Sequence, residues 1–386
     1  MNVRGQGLLA LLLAVALVAC GCKEYRGSVR DYETKKAITE ATILHAGQTV
    51  RSDNTGEFVL GRIDRSQPVI LKAPGYRCLK LNLPEKGVLR AELEPFEARG
   101  VYLSYNTLGK PEVRARVMSW LGSNRLNTVV VDIKDERGRM TFYNGAPRAG
   151  QMGAFGAVKF EDIAAFIGDM HHQGVYVVGR MSVFKDSVLA EHNQPWTVKT
   201  KGRGNMFWLD PFRTDVWNYD LTIAKEAAGD GFDEIQFDNV RFPEAWEIPE
   251  ASYSQRDSSG NRSSALTGFW REARRQLAPF CVCLSQGGPW TGSPVPPGAD
   301  VNALPDYIAP QPGSGRGWAV ADASAGGRPR AFRPYILCGP VLADHNLQAA
   351  VAACRAAGVS GWVLCDAGGT YDIPRDLIAT LKAKDE

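Results

Sequence analysis

The segment 231–243 places residue types that can do chemistry at the end of a strand pattern. It reads GFDEIQFDNVRFP, and polar and apolar residues alternate from Glu234 to Asp238, as they do in a β-strand. A helical pattern, residues 219–228, precedes this strand and a polar loop follows it, which is typical of a βα repeat. In a (β/α)₈ barrel the C-terminal ends of the strands form the catalytic face. Asp238, with Arg241 close behind it, is therefore a candidate site residue.

Polar side chains also fall at the ends of other predicted strands, where a barrel would bring them to the same face as Asp238. Alternation places Asp132 and Lys134 on one face of their strand, and Gln236 shares a face with Asp238 in the same way. A nearby cation keeps one carboxyl group ionised, while a more buried one can stay protonated as a general acid. The predicted set is Asp132, Lys134, Arg180, Gln236, Asp238, Arg241 and Asp366. The alternative is that these charges form salt bridges across the top of the barrel.

Strand and helix patterns alternate from residue 99 onward. Several helical patterns end in glycine just before the next strand, at Gly174, Gly231 and Gly358, as αβ turns require. The segments after the strands are longer and rich in Gly, Pro and Ser, which puts the elaborated loops on one face. The sequence thus predicts an α/β fold in which residues 97–386 form a (β/α)₈ TIM-like barrel. Its eight strand candidates are 100–104, 128–134, 175–180, 235–238, 281–284, 307–309, 333–337 and 362–365.

The preceding region, residues 20–96, shows short strand patterns, turn signals and no helical pattern, which predicts a small all-β sandwich domain. Three motifs in it are informative: Gly27-x-Val29, Asp53-x-x-Gly56-x-Phe58 and Pro74-Gly75-Tyr76. Through them the region resembles the carboxypeptidase regulatory-like domain, a resemblance that implies a spacer or a binding platform.

Residues 1–19 have the features of a targeting segment. Arg4 precedes an apolar stretch, residues 8–18, that is shorter than the roughly 20 residues of a membrane-spanning helix. The sequence Leu-Val-Ala-Cys that ends at Cys20 resembles a bacterial lipobox, which implies cleavage before Cys20 and lipid attachment to its thiol. A plain secretory signal or an uncleaved anchor is the alternative. We expect an extracytoplasmic, lipid-anchored protein of the cell envelope, and Gly21 favours the outer membrane over the inner.

Composition and motifs exclude several other classes. The net charge of the 386 residues is only +3 and no basic run appears, so no nucleic-acid partner is indicated. No HExxH, P-loop, GxGxxG or GxSxG pattern is present, and neither a metal nor another cofactor is predicted. Cys281 and Cys283 are interpreted as buried apolar thiols rather than a metal pair. A disulfide between Cys338 and Cys365 is possible in an oxidising compartment.

Five segments carry a family resemblance: 127–135, 179–186, 208–211, 232–243 and 361–364. Through them, residues 99–371 resemble a bacterial family of glycoside-hydrolase-like (β/α)₈ barrel domains of uncharacterised activity. Three departures concern the chemistry. The family tends to carry an acid after strand five, where this chain has Ser285-Gln286-Gly287, and its Pro-x-x-Tyr-Pro-Ser-type run after strand six is here the segment 309–313. Its last strand usually ends in Trp-Asn rather than Cys365-Asp366.

The resemblance implies hydrolysis of a glycosidic bond, which ordinarily needs two carboxyl groups flanking that bond. Asp238 is then expected to be the nucleophile or stabilising carboxylate and Asp132 the acid/base. Trp208 is the aromatic residue expected to stack on a sugar ring of a polysaccharide, ahead of Tyr102, Trp246 and Trp290. Two alternatives stay open: a non-catalytic carbohydrate-binding lipoprotein with a degenerate barrel, and a scaffold in envelope assembly.

Overall fold

The structure is a computed structural model, and its described residues form two compact units. One comprises residues 24–71 and 79–94, and the other comprises residues 72–78 and 95–373. The described ranges are 24–121, 126–143, 145–156, 158–201, 203–289, 305–311, 331–338, 344–366 and 368–373. The predicted targeting segment with Cys20, and Trp290, lie outside them.

The first unit is built from two small sheets. The strands β1, β4 and β7 form one sheet in the order β4-β1-β7, and the other four form the second in the order β3-β2-β5-β6. Asp53 accepts hydrogen bonds from the backbone N–H groups of Thr55 and Glu57, which makes the predicted turn between strands. The strands are β1 (Tyr25–Asp31), β2 (Thr42–His45), β3 (Gln48–Arg51), β4 (Glu57–Leu60), β5 (Val69–Lys72), β6 (Leu79–Leu81) and β7 (Leu89–Leu93).

The second unit contains the remaining strands. They are β8 (Ala98–Leu103), β9 (Thr128–Lys134), β10 (Tyr176–Ser182), β11 (Thr197–Thr200), β12 (Arg203–Leu209), β13 (Glu234–Asp238), β14 (Ala251–Ser252), β15 (Cys283–Pro289), β16 (Tyr307–Gln311), β17 (Tyr335–Leu337) and β18 (Gly361–Cys365). Eight of them form a parallel sheet in the order β16-β15-β13-β10-β9-β8-β18-β17. A parallel bridge between Ile308 and Phe332 brings its two edges together. The predicted TIM-like barrel is therefore confirmed, with all eight strand candidates in place.

The helices of this unit lie between the barrel strands. Their bounds are α1 (Tyr105–Leu108), α2 (Pro111–Leu121), α3 (Pro147–Gln151), α4 (Ile163–His172), α5 (Ser187–His192), α6 (Thr214–Asp230), α7 (Ser259–Leu277) and α8 (Asp344–Ala356). Gly231 ends α6 with φ +108°, a conformation that costs glycine little. No helix of the described residues is long and apolar enough to cross a membrane.

The main core lies between the barrel strands and the helices. Outward-facing side chains such as Val131, Met181 and Ile235 are fully buried there against helix residues such as Ile223 and Phe269. Inward-facing positions alternate with them, as the period of a strand requires, and several of these are charged. The polar side chains discussed next are therefore held by strands whose opposite faces are anchored in this core.

A small separate sheet is formed by the loops that follow β10 and β13. The strands β11, β12 and β14 form a small antiparallel sheet in the order β12-β11-β14. Lys185, directly after β10, forms an antiparallel bridge with Trp208 of β12. Sequence patterns did not predict this sheet. β11 and β12 form a hairpin, whereas β14 joins β11 from a loop that follows α6 and β13 along the chain.

Candidate active site

Arg180 of β10 is the centre of a buried network at the C-terminal ends of three neighbouring strands. The register pairs Arg180 with Asp132 of β9 on one side and with Gln236 of β13 on the other. Its Nη1 donates to Oδ1 of Asp132 at 2.9 Å, and its Nη2 donates to Oδ2 of Asp238. All three side chains of this bridge are at least 96% buried. The structure therefore brings together the two acids and the arginine that the sequence predicted.

Asp132 is held by donors from several elements. The hydroxyl of Tyr102 lies 3.0 Å from Oδ1, and the backbone N–H of Tyr105 donates to Oδ2 at 2.7 Å. Burial raises the pKa of Asp132 above its ordinary value, although Arg180 and these donors act in the opposite direction. Burial favours the protonated form of a carboxyl group in this way, and a general acid needs that form.

Asp238 is the last residue of β13 and is buried. Its Oδ1 accepts from the backbone N–H of Asn239 at 2.8 Å, and its Oδ2 accepts from Nε2 of Gln311 at 3.2 Å as well as from Arg180. Asn239 has φ +54° and donates from its amide to Oγ of Ser182 at 3.0 Å. Asparagine tolerates this left-handed conformation better than most residues, so the turn after Asp238 fits its sequence.

A cavity of about 570 Å³ opens beside this network at the ends of β8, β9 and β10. Asp132 and Arg180 line it, together with Glu136, which sequence reasoning missed. The side chain of Glu136 is 48% exposed, and its carboxylate lies 3.1 Å from Nζ of Lys185 and 3.5 Å from Nη2 of Arg180. The signal that could have identified Glu136 is its position directly after the segment 127–135, which contains the predicted strand 128–134.

Gln236 lies inside the barrel below Asp238. Its Oε1 accepts from the hydroxyl of Tyr335 at 3.0 Å, while its buried Nε2 has no hydrogen-bond partner among the described residues. A Cβ at Gly287 would lie 2.4 Å from that Nε2, so only glycine leaves room for the amide there. Gln236 therefore lies next to the network, and among the described residues no hydrogen bond joins it to Asp132 or Asp238.

Lys134 is not brought to the cavity, contrary to the expectation from strand alternation. The register of β9 against β10 shifts after Asp132, so that Met181 pairs with Lys134. A bulge of this kind turns the following side chain to the other face. The ammonium of Lys134 lies instead in the outer core, 2.6 Å from Asp186 and 2.6 Å from Asp220 of α6.

Trp208 and Arg241 lie together but away from the cavity lining. The guanidinium of Arg241 sits 4.6 Å from the ring centroid of Trp208 and forms a two-pronged pair with Glu247, at 2.6 and 2.9 Å. Trp208 is 98% buried, which leaves its ring no open face for a sugar. The exposed aromatic ring that lines the cavity is that of its neighbour Phe207.

Asp366, at the end of β18, is occupied by its own loop. Its two carboxylate oxygens accept from the backbone N–H groups of Gly368, Thr370 and Tyr371 at 2.6–2.9 Å. Burial opposes ionisation, but these hydrogen bonds prevail and hold the pKa of Asp366 below its ordinary value. The carboxylate therefore shapes the turn after β18, and the structure does not place it on the cavity wall.

The disulfide pairing of the cysteines differs from what was expected from the sequence. Cys281 forms a disulfide with Cys78, 203 residues away, within the second unit. Only Cys283 of the pair is a buried free thiol, and Cys338 and Cys365 are free rather than bridged. Long-range pairing of this kind is not readable from spacing. Among the described residues no group of three or more His, Cys, Asp or Glu side chains is arranged to hold a metal ion.

Residues 100–287 match the model of a protein family described as "Putative glycosyl hydrolase domain". This range covers the barrel from its first strand to its fifth and contains Asp132, Arg180 and Asp238. No curated protein matches the chain.

Several solved structures are similar to the chain. A hypothetical protein from Ruminiclostridium thermocellum ATCC 27405 is 33% identical, covering 48% of this chain and 96% of that one, with a TM-score of 0.42. The α-galactosidase from Lactobacillus brevis is 12% identical, with 74% and 39% covered and a TM-score of 0.49, so this chain spans about two fifths of that enzyme. The glycoside hydrolase domain of PelA from Pseudomonas aeruginosa is 13% identical, with 72% and 97% covered and a TM-score of 0.45.

Proposed function

We propose that the barrel hydrolyses glycosidic bonds of a polysaccharide, with Asp238 and Asp132 as its central carboxyl groups. The observation that carries the proposal is the bridge from Arg180 to both acids at the C-terminal ends of β9, β10 and β13, beside an open cavity. Glycosidic cleavage needs one carboxyl group that is ionised and one that can give a proton. The similarity of residues 100–287 to a glycosyl hydrolase domain supports the same chemistry.

Asp238 is the nucleophile or stabilising carboxylate in this proposal. The guanidinium of Arg180, the amide of Gln311 and the N–H of Asn239 all donate hydrogen bonds to its carboxylate, which holds it at the end of β13. An ionised carboxylate at the end of the fourth barrel strand stabilises, or bonds to, the positively charged sugar carbon of the transition state.

The proton donor is one of two residues that line the cavity. Asp132 fits because burial raises its pKa, and it was expected from the sequence. Glu136 fits because its carboxylate is half exposed and can reach a bound substrate without rearrangement of the network. The two assignments predict different results for the two acid variants. Only the true donor is needed to protonate the departing sugar oxygen, which is a poor leaving group.

A non-catalytic carbohydrate-binding protein is the second candidate. It is favoured by the segment Ser285-Gln286 of β15, where Gln286 replaces the acid that the family resemblance leads one to expect. Ser285 is buried, and its hydroxyl has no partner among the described residues. In that case the barrel keeps its groove and Asp238 serves only to hold Arg180.

We also propose that the protein is extracytoplasmic and tethered to the cell envelope through lipid on Cys20, as the lipobox-like sequence indicates. The disulfide between Cys78 and Cys281 supports an oxidising compartment, because cytosolic thiols are kept reduced.

The test uses the full-length chain, purified in detergent and incubated with a panel of bacterial exopolysaccharides, cell-wall glycans and storage glucans. New reducing ends would be quantified for the wild type, Asp238→Asn, Asp132→Asn and Glu136→Gln. Asp215→Asn, an exposed acid on α6, is the control. We expect release of ends from the wild type and the control and none from Asp238→Asn. If the wild type and all variants bind a glycan but release no new reducing ends, the hydrolase proposal is refuted in favour of the carbohydrate-binding protein.

A leaving group of low pKa separates the two proton donors. Aryl glycosides with a nitrophenolate leaving group need little protonation, so loss of the true acid is rescued on them. Whichever of Asp132→Asn and Glu136→Gln is rescued identifies the donor. Circular dichroism must show that each variant is folded.

A further inference from the structure

Four cationic side chains line the cavity beside the network, and three of them are neutralised by carboxylates. Arg180 is paired with Asp132 and Asp238, as described above. Arg139 is paired with Asp135 through two hydrogen bonds of 2.8 and 2.5 Å. Lys185 is paired with Glu136. Arg137 is the fourth cation of the lining.

The guanidinium of Arg137 has no hydrogen-bond or ion-pair partner among the described residues, although its backbone is held on both sides. Its N–H donates to Oδ1 of Asp135 at 3.0 Å, and its carbonyl accepts from the N–H of Val188 at 3.0 Å. Gly138 follows with φ +85° and closes the tight turn that carries it. The turn thus presents an exposed positive charge from a fixed backbone position at the cavity wall.

An exposed aromatic ring belongs to the same wall. Phe207 of β12 is 58% exposed and lines the cavity together with Arg137. What distinguishes this ring from a scattered exposed side chain is its place in the lining of a polar cavity, where an aromatic ring beside a few polar groups is typical of a ligand site. A sugar ring offers C–H groups to an aromatic face, while its substituents point outward and can meet a charged group at the rim.

We infer that this cavity takes a sugar that carries a carboxylate, so that the substrate class is an acidic, uronate-containing polysaccharide. The sugar ring packs on Phe207, and its carboxylate accepts hydrogen bonds from Arg137, whose planar guanidinium matches two carboxylate oxygens. This inference rests on the proposed function for its catalytic consequence, but the binding that it describes does not require turnover.

Binding is therefore measured without turnover. The full-length Asp238→Asn chain, in detergent, is titrated calorimetrically with oligomers of galacturonate, glucuronate and mannuronate. Fully methyl-esterified galacturonate oligomers are the neutral counterpart, with the same backbone and no charge. We expect at least one uronate series to bind about tenfold more tightly than the neutral oligomers, as one charge-assisted hydrogen-bond pair provides. Raising the salt concentration should reduce that preference.

Arg137→Gln in the same background should abolish the preference while leaving the weak binding of the neutral oligomers. Arg148→Gln is the matched control, since Arg148 is an exposed arginine on α3 outside the cavity lining. Binding of uronate and neutral oligomers with equal affinity, binding of neither, or a preference that survives Arg137→Gln would overturn the inference. If dextran sulfate binds as tightly as the uronate oligomers, and this binding also depends on Arg137, the cavity recognises anions in general rather than carboxylates. That result would overturn the inference too.

The same measurements separate this inference from the proposed function. Uronate-selective binding with no release of reducing ends by the wild type refutes the hydrolase and supports the acidic subsite. Release of ends from neutral glycans, with no preference for uronates, refutes the subsite and leaves the hydrolase in place.

Discussion

Asp132 and Asp238 lie on strands that are not neighbours in the barrel, yet both accept hydrogen bonds from the single guanidinium of Arg180 on the strand between them. All three side chains are buried. A buried charge pair is costly to break, because removing one partner leaves the other without compensation. The stability of the barrel and the geometry of its acids therefore depend on the same residue.

Arg180→Gln should lower the free energy of unfolding by about 3–5 kcal/mol at neutral pH, since it leaves two buried acids without the cation that they share. Arg180→Lys should lose less stability but also lose activity, because a compact ammonium cannot donate to both acids in the fork geometry of a guanidinium. Guanidinium chloride unfolding of both variants tests this. Arg213→Gln, which breaks a partly exposed pair with Asp215, should change stability by less than about 1 kcal/mol. Equal losses for Arg180→Gln and Arg213→Gln would contradict the prediction.

The buried triad of Lys134, Asp186 and Asp220 predicts a pH dependence. Burial raises the pKa of Asp220 to about 7, the charge of Asp186 adds to this, and Lys134 opposes it. Between the unfolded pKa near 4 and this folded pKa, the folded state holds a proton that the unfolded state has released. The contribution of Asp220 to stability therefore falls as the pH rises through that window, by up to about 1.4 kcal/mol per pH unit.

Asp220→Asn cannot ionise, so it should flatten the decline of the unfolding free energy between pH 4.5 and 7. Urea unfolding at four pH values across this range measures the slope. Asp215→Asn on the same helix should leave the slope as it is in the wild type. A wild-type slope in Asp220→Asn would show that Asp220 is ionised throughout.

Gly138→Ala should destabilise the barrel by about 2 kcal/mol or more. Its φ of +85° disfavours any Cβ, and a Cβ there would lie 2.0 Å from Oδ1 of Asp186, which also caps α5. Gly153→Ala is a matched control, because Gly153 has φ +70° with no atom within 4 Å of an added Cβ. Thermal unfolding should place Gly153→Ala between the wild type and Gly138→Ala, and coincident melting of the two variants would exclude the steric contribution.

Reduction of the bond between Cys78 and Cys281 should lower the thermal midpoint by several degrees, because removal of a native disulfide typically costs about 2–5 kcal/mol. Cys78→Ser should melt like the reduced wild type and should respond no further to reductant. Cys338→Ser, which replaces a free thiol, should still respond. Alkylation of Cys78 and Cys281 in the denatured, unreduced protein would show instead that the bond is absent.

Much of the site was predictable because it follows from the periodicity of strands. Asp132, Arg180 and Asp238 were expected at one face, since parallel strands of a barrel share a direction and their polar inward positions meet. The same reasoning failed for Lys134, because a single register shift after Asp132 turns Lys134, the last residue of β9, to the outer face. Nothing in the local pattern of 128–134 signals that shift.

The sequence by itself determined the eight-stranded α/β barrel, its glycine-closed helices and the strand ends that carry the acids. These depend on local periodicity and on turn chemistry, which short stretches of chain contain. Only the tertiary structure decided that Arg180 binds both acids, that Trp208 is buried while Phe207 is exposed, and that Cys78 reaches Cys281. Those outcomes depend on contacts between distant segments, whose free energy is settled by packing and desolvation rather than by the residues adjacent in the chain.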